Sequence, residues 1–520
     1  MCFPVRWSIL GTINVRQVSA CLLQGRFSMA EFNERRRFMG RFRRIIFTLT
    51  VTLFLAAGVT IVTGLGSMSE KQNDTEQGQQ NLRDSISRVN LLKPVIRKIS
   101  STTEGIKLTW TAVENADGYL VKRNEKTCKN ITNPEEVSFL DKKAKKNGRK
   151  YKYVIYAYRE VNGKKIKSEP SESCTQFYLK RTSINDASRG ENGDVTVAWK
   201  KNERASGFEI QYDEKKNFHS AQCVYARKSS AVSSKIPGLK AGKTVYVRVR
   251  SYKKAGKKKY YSQWSTPVML TGWNQKWKYA GNSKIHSGTA VLYYTDSSDR
   301  RKKTVCINAG HGTLGGEAKK TLCHPNGSPK VTGGTTAQGA VYSPSISGGT
   351  TMADGTPEAA ANLQVALLLK KKLLNMGFNV LMIRESPDVQ LDNIARTVLA
   401  NQYADCHVSI HFDSTAYDKG AFVINVPNIA SYRKMEPVAS HWQQHNELAE
   451  QILRGMQDKG VKIYGNGTSG IDLTQTSYST VPSVDVEVGD TRTSLAKKSL
   501  ETISDGIAAG VDRYFTVSSK

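Results

Sequence analysis

Four residues of this chain have side-chain types that together can carry out hydrolysis: His311, Glu358, His411 and Glu487. Each stands where a strand or a helix is expected to begin or end. The segment TVCINAGHG (304–312) runs from a β-branched stretch into Gly310-His311-Gly312, which delivers a histidine at a strand end. DCHVSIHFDS (405–414) does the same with His411, and VPSVDVEVGD (481–490) with Glu487. Glu358 opens the run TPEAAANLQVALLLKKKLLNMG, where Thr356 suits a helix cap, Pro357 the first position and Gly377 the end. Two histidines and a carboxylate make the open ligand set of a catalytic zinc, with one position left for water. A carboxylate outside that set is what such a site needs as proton acceptor.

Strand alternation separates these residues from their neighbours. His407, Ser409 and His411 share one face. Four residues at ~3.3 Å each put His407 about 13 Å from His411, against a Zn–N bond of about 2.1 Å, which excludes it as a co-ligand. Asp485 falls on the face of Glu487, one step further into the sheet. There it acts either as a supporting partner or as a like charge that raises the Glu487 pKa. Cys306 and Cys406 each precede a histidine by five residues, so they face the opposite way, into the core.

The stretches INAGHG, the PEAAANL helix, GFNVLMIRES, ARTVLANQYADCHVSIHFDS and VPSVDVEVGD, in this order, resemble zinc-dependent N-acetylmuramoyl-L-alanine amidases. These are cell-wall hydrolases that cut the bond between muramic acid and the first alanine of the peptide stem. The resemblance implies that His311, Glu358 and His411 hold Zn2+, that Glu487 is the catalytic acid/base, and that peptidoglycan is the substrate. Glu317 is the rival acidic ligand, because the segment after the first histidine is usually short in that family. Glu358 is preferred because the helix it opens, followed by FNVLMIR, continues the family pattern. Two residues depart from the pattern: Asn308, where Asp is common, and Asp485, where an apolar residue is usual. They keep open an inactive or weak wall-binding adhesion protein, beside a zinc hydrolase of another peptidoglycan amide bond.

These residues need an α/β scaffold. Strands are expected near 304–309, 378–384, 406–411, 421–426 and 483–488, and helices near 357–376, 388–403, 441–459 and 493–514. This predicts a C-terminal α/β domain, 300–520, with a mostly parallel sheet and its site outside the strand ends. The connection from Gly312 to Thr356 is long and rich in Gly, Thr and Ser, and reads either as a lid over the cleft or as a disordered surface loop. Cys323 and His324 lie within it as an outside candidate for a regulatory metal contact.

The chain ahead of this domain is organised differently. Residues 1–44 form a basic, cytoplasmic N-terminus, for which Met29 is an alternative start. Ile45–Gly66 is an uncharged apolar stretch behind Arg35, Arg36, Arg37, Arg41, Arg43 and Arg44, long enough to span a bilayer as a single-pass anchor. Cleaved as a signal peptide, it would release the rest as a secreted protein. Residues 67–92 read as a polar stalk. An internal repeat follows: IKLTWTAVENADGYLVKR (106–123) matches VTVAWKKNERASGFEIQY (195–212), with Trp110/Trp199 and Gly118/Gly207 at one offset. It predicts two all-β sandwiches, 93–180 and 181–272, which resemble fibronectin type III modules and serve as spacers or adhesion units. Residues 273–299 are then a linker. Cys128 and Cys174 share the first module, and the sequence leaves their pairing open. The net charge of +32 points to a polyanion. Outside the membrane, that means anionic wall polymers or lipid headgroups rather than nucleic acid.

Overall fold

The computed structural model describes residues 90–240 and 242–517, which fall within one compact unit. The expected anchor 45–66 and the basic N-terminus 1–44 lie outside the described residues. Among the described residues no helix is long and apolar enough to cross a membrane.

The repeat folds as two pairs of facing sheets. In the first unit, Ile96–Ser101, Ile106–Trp110 and Ser138–Asp141 form one sheet, and Gly118–Arg123, Lys126–Ile131, Lys150–Val161, Lys164–Lys167 and Cys174–Phe177 the other. Alternation along the long strand sends Tyr151, Tyr153, Ile155 and Ala157 into a core shared with Ile106, Leu108 and Trp110. Trp110 packs edge-on to Tyr119 with ring centroids 5.5 Å apart, and Trp199 packs on Phe208 at 5.1 Å. Cys128 and Cys174 are free thiols. Their strands are separated by two others in the sheet, about 14 Å at ~4.8 Å per strand, beyond the reach of a disulfide.

The second sandwich does not stop at residue 272. Its strand Val268–Leu270 pairs with Val245–Val247 on one side and with β1 (Val291–Tyr293) on the other. β1 pairs in turn with β5 (Asn379–Met382) of the C-terminal domain. One sheet of twelve strands therefore runs from the sandwich into the C-terminal α/β body. The segment expected as a linker supplies the splice. Val268 and Leu270 share a core with Val291 and Tyr293, and Lys370 of the domain donates to the Asn185 carbonyl at 3.1 Å. A fragment starting at 284 loses this packing, about 3–6 kcal/mol for two buried aliphatic side chains. It is expected to melt about 10 °C or more below a fragment starting at 181. Equal midpoints by calorimetry would show that the splice carries no stability.

Beside the short helices Ala430–Arg433 and Thr474–Tyr478, the C-terminal domain has β2 (Thr304–Ala309), β3 (Lys320–Leu322), β4 (Tyr342–Pro344), α1 (Glu358–Asn375), α2 (Asn393–Tyr403), β6 (Cys406–Asp413), β7 (Ala421–Asn425), α3 (Val438–Asp458), β8 (Ile463–Gly470), β9 (Ser483–Asp490) and α4 (Lys497–Val517). The sheet order is β1-β5-β2-β6-β9-β7-β8. β5, β2, β6 and β9 run parallel, but β1 is antiparallel to β5 and β7 to β9, so the sheet is mixed. α1, α3 and α4 cover one face through Leu369, Ile452 and Ile507, and α2 covers the other through Ala395 and Leu399. Cys306 and Cys406 are buried, and burial holds both thiols protonated.

Three departures from the sequence expectation have a cause visible in the structure. Thr356 is not the cap of α1: its carbonyl accepts from Met352 N, and Thr351 bridges to Pro357, which places an extended Pro357 at the cap. α2 starts at Asn393 rather than 388, because the Asp392 carboxylate caps it by accepting from Ala395 N at 2.8 Å. The connection 312–356 is neither disordered nor a loose loop. It folds into the β3–β4 hairpin, whose tip is fixed by Asp472. That buried carboxylate accepts from Lys330 Nζ (2.7 Å), Val331 N (2.6 Å) and Thr332, and meets His324 Nε2 at 3.1 Å. His324 is thereby committed to hydrogen bonds rather than to a metal.

Candidate metal centre

The turn after β2 is built around a strained histidine. His311 has a φ of 62°, a left-handed conformation that costs a non-glycine residue about 1–3 kcal/mol. Two buried arginines hold it there through the backbone. Arg384 donates to the carbonyls of Ala309 (2.9 Å) and Gly310 (2.7 Å), and Arg396 to that of His311 (2.6 Å). Burial lowers their pKa values to about 10 and about 9, so both stay charged at neutral pH. Gly310 is required by close approach, since a Cβ there would sit 2.2 Å from the His411 ring.

Three side chains then converge on one point. His311 Nε2 lies 2.9 Å from Glu358 Oε1, His411 Nδ1 lies 3.1 Å from the same oxygen, and the two nitrogens are 3.1 Å apart. One ligand atom from each residue falls within 4.8 Å of the others. A tetrahedral cation with bonds of about 2.1 Å separates its ligand atoms by about 3.4 Å, so a small spread of this trio admits one. The electrostatics fit a cation as well. Burial pushes the Glu358 carboxyl up, but hydrogen bonds from His311 and His411 outweigh it and hold the group well below the usual carboxylate range. Burial works against charge on His411 too, yet Asp485 and Glu358 raise its pKa to about 10. The hydrogen-bonded contacts among the three side chains occupy the place that a divalent cation fits.

Neighbouring groups orient two of these side chains. His311 Nδ1 donates to the Ser347 carbonyl at 2.7 Å, which aims Nε2 at the point where the three side chains converge. Glu358 Oε2 accepts from Thr350 N (2.9 Å), and Oε1 from Asn362 Nδ2 and Phe412 N (both 3.2 Å). Ser347 and Thr350 belong to the end of the hairpin segment. Gly349 between them has a φ of +86°, and a Cβ there would lie 2.7 Å from His311 Cδ2. The segment is therefore a strap lying against two of the three side chains.

Glu487 stands directly opposite His411 in the parallel β6–β9 pairing, as Asp485 stands opposite Ser409. Glu487 Oε2 and Asp485 Oδ1 are buried and accept no hydrogen bond among the described residues. Burial, then the neighbouring Asp485, raises the Glu487 pKa well above its ordinary value. Asp485 Oδ2 lies 3.9 Å from His411 Nε2. Asn308 stays outside the trio, its Oδ1 accepting from Arg396 at 3.0 Å. Glu317 is exposed and accepts from Gly348 N at 2.6 Å, away from the converging atoms. His407 is buried without a hydrogen-bond partner among the described residues, its pKa lowered to about 3 by burial, a neutral core side chain. Arg384, Arg396 and Asn362 went unremarked in the sequence reading. Asn362 was legible as the i+4 neighbour of Glu358 on α1, and the arginines as cations within apolar stretches.

Residues 305–513 match the family model of N-acetylmuramoyl-L-alanine amidases. No curated protein matches the chain. Among solved structures, the amidase Ami1 of Mycobacterium smegmatis is similar at 17% identity and a TM-score of 0.35, over 42% of this chain and 100% of that one. Ami1 of Mycobacterium abscessus is similar at 21% identity and a TM-score of 0.33, over 41% and 98%. An N-acetylmuramoyl-L-alanine amidase of Clostridium difficile 630 is similar at 22% identity and a TM-score of 0.30, over 42% and 98%.

Proposed function

We propose that the C-terminal domain, residues 300–520, hydrolyses the amide bond between N-acetylmuramic acid and the first L-alanine of peptidoglycan, with zinc held by His311, Glu358 and His411. The convergence of these three side chains beside Glu487 carries the reading. When bound, zinc supplies Lewis acidity that polarises an amide carbonyl and makes water more acidic. Glu487 takes the proton of the attacking water on its unpartnered carboxylate oxygen and passes a proton to the departing alanine nitrogen. Burial beside Asp485 makes Glu487 a stronger proton acceptor than an exposed glutamate. The strap residues Ser347 and Thr350 keep His311 and Glu358 aimed, and the Arg384–Arg396 pair keeps the His311 turn in place. The products are a muramic acid with a free lactyl carboxylate and a peptide with a free alanine amine.

In this reading the two sandwiches are fibronectin type III-like spacers. The stretch 45–66 anchors the chain in the cell membrane with its catalytic domain facing the wall, or is removed from a secreted form. Incubated with zinc and peptidoglycan, the chain is expected to release peptides whose only new amino terminus is L-alanine. A chelator should abolish release, and added zinc should restore it. New reducing sugar ends, or new termini other than alanine, would overturn the reading.

A further inference from the structure

The positive charge is not spread evenly over the chain. Residues 93–272 hold 39 Lys and Arg against 17 Asp and Glu, a net +22 of the total +32. Residues 273–517 hold 25 against 22. The catalytic body also pairs many of its cations internally, as in Lys303–Asp405, Lys372–Asp505, Lys462–Asp418 and Arg513–Asp458. The sandwiches carry a large uncompensated charge, and the body carries almost none.

Register places much of that charge on one surface. In the first sandwich, Tyr151, Tyr153 and Ile155 point into the core, so Lys150 and Lys152 point outward from the same strand. Lys122 lies opposite Val154 and Lys167 opposite Tyr158, which adds both to this outer face. Lys165 joins them opposite Glu160, the carboxylate at the far end of the strand. None of these five lysines has a carboxylate partner among the described residues. Two of them lie along aromatic rings instead: Lys122 over Tyr156 at 4.9 Å and Lys165 over Tyr158 at 4.0 Å. Such packing fixes the stems and presents the ammonium groups to solvent. The face continues onto the second sandwich, where Phe177 meets Tyr260 at 5.0 Å beside the exposed Lys258 and Lys259.

A face of unpaired like charges repels itself, and a counter-charge supplied from outside relieves that repulsion. Alternate lysines on a strand are about 6.6 Å apart, which makes a row of point charges suited to a linear polyanion rather than to one small anion. We infer that the outer face formed by Lys122, Lys150, Lys152, Lys165 and Lys167 binds a linear phosphodiester polymer and holds the catalytic body against it. Phosphodiesters keep their charge at any pH the chain meets, so the attraction does not depend on acidity. The first sandwich meets the second through Phe177 and Tyr260, and the splice through β1 joins the second to the catalytic sheet, so binding on this face fixes where the cleft can reach. This inference does not rest on the amidase reading.

The test uses the full chain in nonionic detergent, with synthetic poly(glycerol phosphate) as the probe and dextran and polygalacturonate as neutral and carboxylate controls. Binding to the phosphate polymer is expected at low salt, weakening linearly in log Kd against log salt. A variant with Lys150, Lys152, Lys165 and Lys167 changed to Gln should bind about tenfold or more weakly. A variant with Lys302, Lys434, Lys459 and Lys498 changed to Gln removes the same charge from exposed sites on the catalytic body. It should bind as the parent does, and both variants should melt with it. Equal losses in the two variants, no binding by the parent, or equal binding to polygalacturonate would each overturn the inference. So would binding to anionic phospholipid vesicles that soluble polymer does not displace, which would assign the face to a membrane.

Discussion

Glu487→Gln is expected to retain one zinc per chain and to lower kcat by about 10²–10⁴-fold, the range for removal of a general acid/base. The amide keeps the size of the side chain, and Glu487 is not one of the converging atoms, so the ligand set is untouched. What is lost is the proton acceptor opposite His411. His411→Ala should fail in the other sense: two ligands remain, and zinc itself leaves. Metal content by atomic absorption, measured beside the turnover of peptidoglycan fragments, separates the two. A Glu487→Gln protein with near-parental kcat would remove Glu487 from the chemistry and point to Asp485, a neighbouring buried carboxylate that also has an unpartnered oxygen among the described residues.

That pair also shows how far sequence reasoning reached. Alternation placed Asp485 and Glu487 on one face and His407 away from the converging side chains, and both hold, because strand geometry is local. The positions of His311, Glu358 and His411 at strand and helix ends were legible for the same reason. Glu358 against Glu317 was decided by continuity of α1, and the structure places Glu317 on the strap backbone instead. What escaped was non-local. The splice through β1 depends on a three-residue strand, Val291–Tyr293, too short to show a period. The Arg384–Arg396 support binds backbone carbonyls, and no spacing rule marks a side chain whose partner is another segment's main chain. The hairpin in 312–356 escaped for a related reason. Its tip is held by Asp472, more than a hundred residues downstream, a partner that no local pattern marks.

The strap is where the structure changes an expectation most. Read as a lid, residues 318–350 can be replaced by a short Gly-Ser linker with zinc binding preserved and only rate or peptide preference altered. Their contacts argue otherwise. Ser347 fixes the His311 tautomer, and Thr350, the last residue removed, fixes Glu358. Loss of such partners weakens metal binding by about 10–100-fold, and this is the expected change in zinc Kd by chelator competition. A smaller replacement, 324–340 combined with Asp472→Asn, removes the tip while β3, β4 and Ser347–Thr350 remain. The Asn change is needed because an unpaired buried carboxylate left behind would itself destabilise the fold. This variant should bind zinc within about threefold of the parent, because no ligand loses a partner. If the full replacement kept the parental zinc Kd and changed only turnover, the strap would be a lid and not a support for the ligands.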